Sequence, residues 1–234
     1  VKATFVGHPL FESLDGSSTS FSSDLPDEEG GLKLALLPGS RKKEVHRNWP
    51  TMLRAYHALL GRHSDLRAVV AMRDDQAVQW KQHASQRGGL REDSALVTLS
   101  GRTREAVRWA DVVLTVSGTA TLEVLGIGRP MVALYNTSYA GWQLLGRHLI
   151  STRTFTLPNL VSQQMGLGTA IEELVPHFGS VEPVVEAVDR LLKDEARRRE
   201  QLRKFDVIRQ AFLQVRFSDA AANVIEQAVG AGSG

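Results

Sequence analysis

Two short turns in the sequence combine a glycine with hydroxyl side chains directly before a predicted helix. The first is Pro38-Gly39-Ser40-Arg41 and the second is Ser117-Gly118-Thr119. Glycine lets the backbone approach a ligand closely, hydroxyls add hydrogen bonds, and the N–H groups at a helix N-terminus favour an anion. Arg41 adds a planar guanidinium that fits phosphate oxygens. Each turn alone is more typical of an ordinary helix N-cap, but two such turns facing one another would predict a diphosphate site.

A carboxylate lies close to the second turn. Glu123 follows Thr119 by four residues, about one turn into the second helix. From there it could accept two hydrogen bonds from a vicinal diol such as a ribose. The alternative is a solvated side chain that interacts favourably with the helix dipole.

Five apolar runs, separated by helical patterns, predict the parallel sheet that positions these turns. The runs are continuous rather than alternating, which is typical of strands covered by helices on both faces. In the common order 3-2-1-4-5 the first and fourth strands are neighbours, and ligands bind beyond their carboxyl ends. The two turns would then face each other. The predicted strands are Leu32–Leu37, Leu66–Met72, Ala95–Leu99, Val112–Val116 and Met131–Tyr135.

The segments around this sheet predict three regions. Residues 1–31 form an interdomain connector and flexible loop, in which Ala3–Val6 is a short strand; residues 32–193 form the Rossmann-like domain; and residues 194–234 form C-terminal helices. Trp142–Ile150 is predicted to be helical, whereas Leu157-Pro158-Asn159 is predicted to break the chain.

Composition excludes several classes of function. The 234 residues include 28 Lys and Arg against 26 Asp and Glu, a net charge of +2 that is too small for general coating of nucleic acid. There is no cysteine, so disulfides and thiolate chemistry are excluded. The seven histidines show no paired spacing typical of a metal site, and neither a dinucleotide-binding nor a P-loop glycine motif occurs. Because the chain begins at Val1, we expect an excised part of a longer protein.

Five strings resemble the C-terminal half of lipid-A-disaccharide synthases. Their order and approximate spacing agree over nearly the whole chain, which is more specific than any one motif. The strings are Leu36–Val45, Val116–Glu123, Arg129–Tyr135 and Leu157–Leu160, with Val6–Leu10 at the crossing between domains.

The resemblance implies an α/β protein, the Rossmann-like C-terminal domain of a glycosyltransferase B fold followed by C-terminal helices. It implies transfer of 2,3-diacylglucosamine from UDP to 2,3-diacylglucosamine 1-phosphate, without cofactor or metal. The catalytic base would lie in the N-terminal domain, so this chain alone is expected to bind without turnover. The implied UDP-binding residues are Gly39, Ser40, Arg41, Ser117, Gly118, Thr119, Glu123 and Asn159.

The implied partners are a UDP-sugar donor and an acylated glucosamine phosphate acceptor, and not nucleic acid. The implied location is the cytoplasm, with peripheral contact at the inner membrane. Whether the protein forms a homo-oligomer is left open by the sequence. The sequence departs from the family pattern at Ser151 and Pro176. The alternatives are another UDP-sugar enzyme of this architecture, similar to UDP-N-acetylglucosamine 2-epimerase, and a non-catalytic nucleotide-binding module. His8, at the domain crossing, is expected to make a hinge hydrogen bond.

Overall fold

A computed structural model describes most of the chain. The described residues are 4–14, 25–26, 30–90, 96–139 and 154–230.

Six parallel strands form one sheet within these residues, in the order β3-β2-β1-β4-β5-β6. The predicted order of the first five strands is therefore confirmed. β1 lies between β2 and β4, and its Ala35 is in register with Val69 and Val113. The bounds are β1 Lys33–Leu37, β2 Arg67–Met72, β3 Val97–Ser100, β4 Val112–Val116, β5 Met131–Asn136 and β6 Glu172–His177.

The sixth strand was not predicted from the sequence. β6 has the sequence Glu-Glu-Leu-Val-Pro-His and lies at the sheet edge beside β5. Five of its six residues are only half-buried, so it has no continuous apolar run. Pro176 lacks an N–H group and is tolerated because an edge strand leaves one side unpaired.

Helices cover both faces of the sheet. Along β1, Leu34 and Leu36 pack toward α2 and α7, whereas Ala35 and Leu37 pack toward α4, α5 and α8. Burial on both faces explains why the strands are continuous apolar runs. The helices are α1 Pro9–Leu14, α2 Lys42–Leu60, α3 Asp75–Arg87, α4 Thr103–Trp109, α5 Thr119–Ile127, α6 Leu157–Gln164, α7 Glu182–Lys193, α8 Glu195–Leu213 and α9 Phe217–Gly230.

The predicted chain break at Leu157-Pro158-Asn159 is wrong, because these residues form the first turn of α6. The Thr156 side chain caps the helix by accepting from the Asn159 N–H. Proline fits the first turn, where its missing N–H would have had no partner within the helix.

The N-terminal segment forms a helix where we predicted a connector. The described residues 4–8 are not a strand, and α1 follows them. The Phe11 ring stacks on Phe212 of α8 with centroids 4.7 Å apart. Leu14 lies so close to Gly126 of α5 that a Cβ atom at this glycine would collide with it. The Glu12 carboxylate also accepts from the Ser218 N–H at 3.1 Å. α1 is thus bound to α5, α8 and α9.

A buried carboxylate joins α7 to the segment after α2. Asp189, 9% exposed, accepts from Arg62 at 3.2 Å and Lys193 at 2.9 Å, and contacts His63 Nε2 at 2.6 Å. Burial alone would raise the pKa of Asp189, but hydrogen bonds from Lys193, His63 and Arg62 outweigh it and hold this pKa below its ordinary value.

Candidate functional site

The two predicted turns open onto one cavity of about 950 Å³. They lie side by side because β1 and β4 are hydrogen-bonded neighbours, with Leu37 in register with Thr115. The cavity is lined by seven of the eight residues predicted to bind UDP, namely Gly39, Ser40, Arg41, Ser117, Gly118, Thr119 and Glu123.

The first turn already holds an anionic group, supplied by the protein itself. The backbone N–H groups of Ser40 and Arg41 both donate to Glu44 Oε2, at 3.1 and 3.2 Å. Arg41 Nη1 also donates to Glu44 Oε1, at 3.0 Å. Gly39 makes this turn with φ +114°, and a Cβ atom there would lie 2.7 Å from the Glu44 Cβ. The amides of this turn therefore bind a carboxylate, and their binding of a phosphate stays a prediction.

Glu44 is a functional candidate that sequence reasoning missed. Its position three residues after Arg41 is the signal that could have found it, because a Glu at N3 often returns to bond the N-cap backbone. Its carboxylate occupies the amides that we expected to bind a phosphate oxygen.

The second turn differs because its helix has no side-chain cap. Gly118 precedes α5 with φ 156° and ψ −163°, a combination that is essentially restricted to glycine. No described side chain caps the α5 N-terminus, and its first turn contains no acidic residue. The Ser117 hydroxyl donates to the Phe155 carbonyl at 3.3 Å, and the Thr121 hydroxyl donates to the Gly118 carbonyl at 2.7 Å. The positive end of α5 therefore faces the cavity without an anionic side chain of its own.

Glu123 lies on the cavity wall, where one of its oxygens is bound by an arginine. Arg104 Nε donates to Glu123 Oε1 at 2.9 Å. The other two donors of Arg104 reach Ser13 of α1, with Nη1 at 3.0 Å from its carbonyl and Nη2 at 2.9 Å from its hydroxyl. The Glu123 Oε2 atom accepts no hydrogen bond from the described part of the chain.

The cavity carries an excess of positive charge. Its described lining holds five arginines against three glutamates. Four of the arginines have carboxylate partners. Besides the pairs of Arg41 with Glu44 and Arg104 with Glu123, Arg102 binds Glu105 at 2.6 Å and Arg73 binds Asp74 at 2.7 Å. Such a lining favours a ligand that carries more than one negative charge.

His8 also lines the cavity, at the end that faces α1. Its Nδ1 atom accepts from the Leu10 N–H at 3.2 Å, at the start of that helix. This bond is local to the start of α1, and the hinge role expected of His8 stays a prediction.

Asn159 does not belong with the other predicted residues. It is 2% exposed and absent from the cavity wall. Its side-chain oxygen accepts from the N–H groups of Ala170 and Ile171, at 2.7 and 2.8 Å. Its amide donates to the Ile171 carbonyl at 2.9 Å and to Glu173 at 2.6 Å. These bonds use the hydrogen-bonding capacity of the side chain to hold the segment before β6, which leaves nothing for a nucleotide.

The predicted helix Trp142–Ile150 and Ser151 lie outside the described residues. On α8, Arg197 pairs with Asp194 at 3.1 Å and Arg203 pairs with Glu200 at 2.9 Å. Among the helices of the described ranges, none is both long and apolar enough to cross a bilayer.

Comparison with known proteins identifies similar sequences. A family model described as lipid-A-disaccharide synthetase matches residues 1–225. The lipid-A-disaccharide synthase of Idiomarina loihiensis is 34% identical over 229 residues, which cover 96% of this chain and 57% of the relative. That of Azotobacter vinelandii is 34% identical over 233 residues, covering 97% and 58%. The chain thus spans a little over half the length of the curated relatives it matches.

Solved structures share the fold at low sequence identity. A complex of S. aureus MnaA with UDP gives a TM-score of 0.59 at 12% identity, over 84% of this chain and 46% of that one. WaaG, a glycosyltransferase involved in lipopolysaccharide biosynthesis, gives 0.54 at 16% identity, over 85% and 48%. The predicted fold, a Rossmann-like sheet of the glycosyltransferase B type, is confirmed.

Proposed function

Because this chain belongs to the lipid-A-disaccharide synthase family, we propose that it is the UDP-sugar-binding part of such a glycosyltransferase. The reaction would transfer 2,3-diacylglucosamine from UDP to 2,3-diacylglucosamine 1-phosphate. The observation that carries the proposal is the meeting of two anion-binding turns at one cationic cavity. Family membership favours this activity over the epimerase-like alternative.

The diphosphate would lie between the two turns. Ser117, Gly118 and Thr119 would bind it through the uncapped N-terminus of α5. Gly39, Ser40 and Arg41 would bind it from the β1 side, where the amides now hold the Glu44 carboxylate. The donors at the N-terminus of α5 are oriented before the ligand arrives, so they would stabilise the charge that develops on UDP as it leaves.

The ribose would be bound by Glu123, which is not part of either turn. One of its oxygens carries the Arg104 bond, and the other accepts no hydrogen bond from the described residues. A carboxylate so placed accepts well from two neighbouring hydroxyls. No residue of the described part of the chain is assigned as the catalytic base.

The acyl chains of the proposed acceptor support a location of the enzyme at the membrane surface. An acceptor with two acyl chains is held in a bilayer, so the enzyme that uses it would work as a peripheral protein on the cytoplasmic side.

Calorimetric titration with UDP, UMP, ADP and NAD tests the donor site. UDP should bind most tightly, and UMP more weakly, since two turns hold two phosphates. Tighter binding of NAD than of UDP would overturn the proposal.

The Arg41→Ala variant tests the first turn directly. UDP binding should weaken by roughly 1.5–3 kcal/mol, the range for a hydrogen bond to a charged group. The fold should persist, since the Arg41 side chain is 81% exposed. Lys43→Ala is the matched control, because Lys43 is an exposed cation two residues away that does not line the cavity. Equal affinities of the Arg41 variant and the control would remove Arg41 from the site.

A further inference from the structure

Arg104 lies where three structural elements meet at the cavity. It belongs to α4, its Nε atom binds Glu123 of α5, and its two terminal nitrogens bind Ser13 of α1. We propose that Arg104 is the positioning residue of the ribose site, which fixes the Glu123 carboxylate in the geometry that a vicinal diol requires. This inference rests on the proposed function and adds a residue that acts through Glu123 rather than on the ligand.

The guanidinium group is itself held in one orientation. A guanidinium is planar, so hydrogen bonds from both terminal nitrogens fix the direction of the third donor. Here the two bonds to Ser13, at 3.0 and 2.9 Å, set the plane, and Nε then holds Glu123 Oε1 at 2.9 Å. The Ser13 hydroxyl is fixed in turn, because it donates to the Leu10 carbonyl at 2.8 Å.

Fixing the carboxylate favours binding of a diol. A free glutamate side chain loses rotamer freedom when it binds a ligand, and this loss opposes binding. Glu123 has already lost that freedom to the Arg104 bond, and among the described residues its Oε2 has no other donor; both residues line the cavity. The ribose hydroxyls would therefore meet a pre-oriented acceptor.

The same contacts connect the ribose site to α1. Ser13 is in the last turn of α1, and Leu14 beside it packs over Gly126 of α5, the helix that carries Glu123. A displacement of α1 would remove both bonds that orient Arg104. The ribose site therefore depends on the docking of α1.

The test compares UDP with 2′,3′-dideoxy-UDP, which keeps the diphosphate and the base but lacks the diol. Calorimetry on the 234-residue chain would measure Arg104→Gln, Glu123→Gln and the double variant. Arg104→Gln should weaken UDP binding about tenfold and binding of the dideoxy ligand by less than about twofold. The double variant should bind UDP no more weakly than Glu123→Gln alone, because Arg104 acts through that carboxylate.

Two milder variants separate orientation from charge. Ser13→Ala removes only the hydroxyl acceptor and should weaken UDP binding less than Arg104→Gln does. Arg104→Lys keeps the positive charge without the planar fork, so it should restore only part of the affinity lost in Arg104→Gln.

The outcomes distinguish the inference from the function on which it rests. Equal losses for both ligands, or additive losses in the double variant, would mean that Arg104 contacts the phosphates or acts only on the fold, and either would overturn the inference. Full affinity in Arg104→Lys would overturn it as well, since charge alone would then suffice. Failure of the unaltered chain to bind UDP would instead overturn the proposed function.

Discussion

Replacing Glu44 with Gln should tighten UDP binding and lower thermal stability at the same time. In the structure the Glu44 carboxylate accepts from the two amides of the first turn and pairs with Arg41. A phosphate oxygen that binds these amides must displace it. A side chain that competes with the ligand and also caps a helix therefore affects binding and folding in opposite directions.

The magnitude follows from the contacts that Glu44 makes. Its bonds to Ser40, Arg41 and the Arg41 guanidinium are 3.1, 3.2 and 3.0 Å long and are all charge-assisted. A neutral amide oxygen forms weaker bonds, and solvent at the exposed Arg41 reduces the difference to about 1 kcal/mol in total. UDP affinity should then rise about fivefold. The lost cap should lower the unfolding free energy by about 0.5–1 kcal/mol and the Tm by about 1–4 °C.

Isothermal titration with UDP and scanning calorimetry in the same buffer would measure both effects. Glu105→Gln is the matched control, because Glu105 also lines the cavity and pairs with an arginine but has no bond to the first turn. It should improve UDP affinity less than Glu44→Gln. Weaker or unchanged UDP binding in a folded Glu44→Gln protein would refute the idea that the ligand displaces the Glu44 carboxylate. Equal gains in UDP affinity in both variants would mean that the loss of one negative charge from the cavity explains the effect.

Three further predictions concern the fold around the site. Gly39→Ala should lower the unfolding free energy by about 1–3 kcal/mol in urea titrations, because φ is +114° and the new Cβ would collide with Glu44. Asn159→Ala should lower it by at least about 2 kcal/mol through two unsatisfied buried amides, with UDP affinity of the folded protein unchanged. Asp189→Asn should lower it by about 1–3 kcal/mol at pH 7. Since the folded-state pKa of Asp189 is depressed, its contribution is lost as pH falls through that pKa, and the difference between variant and unaltered protein in urea titrations should shrink at low pH.

The sheet and the meeting of the two turns were predictable from the sequence. Both turns follow continuous apolar runs, and the strand order places the ends of the first and fourth runs together. β6 was missed for a physical reason: edge strands need little apolar surface, and Pro176 is typical of a chain break elsewhere.

The contacts within the site were less predictable. The Arg104–Glu123 bond joins residues 19 positions apart and depends on how α4 packs against α5. The position of Asn159 away from the cavity has the same origin, because its partners lie 11 to 14 residues further along the chain. Sequence spacing indicates on which element a polar residue lies, whereas the packing of the elements decides which group its side chain contacts.

The docking of α1 also has a consequence for the order in which the protein can be assembled. Its Glu12 bonds Ser218 across 206 positions of the chain, and its Phe11 stacks on Phe212. A ribosome completes α1 before α8 and α9 emerge. Closing so long a loop adds little entropic penalty beyond that of a loop half its length, so the delay is one of timing rather than of stability. During synthesis α1 can contact α5 first, and its attachment is complete only once α8 and α9 have formed.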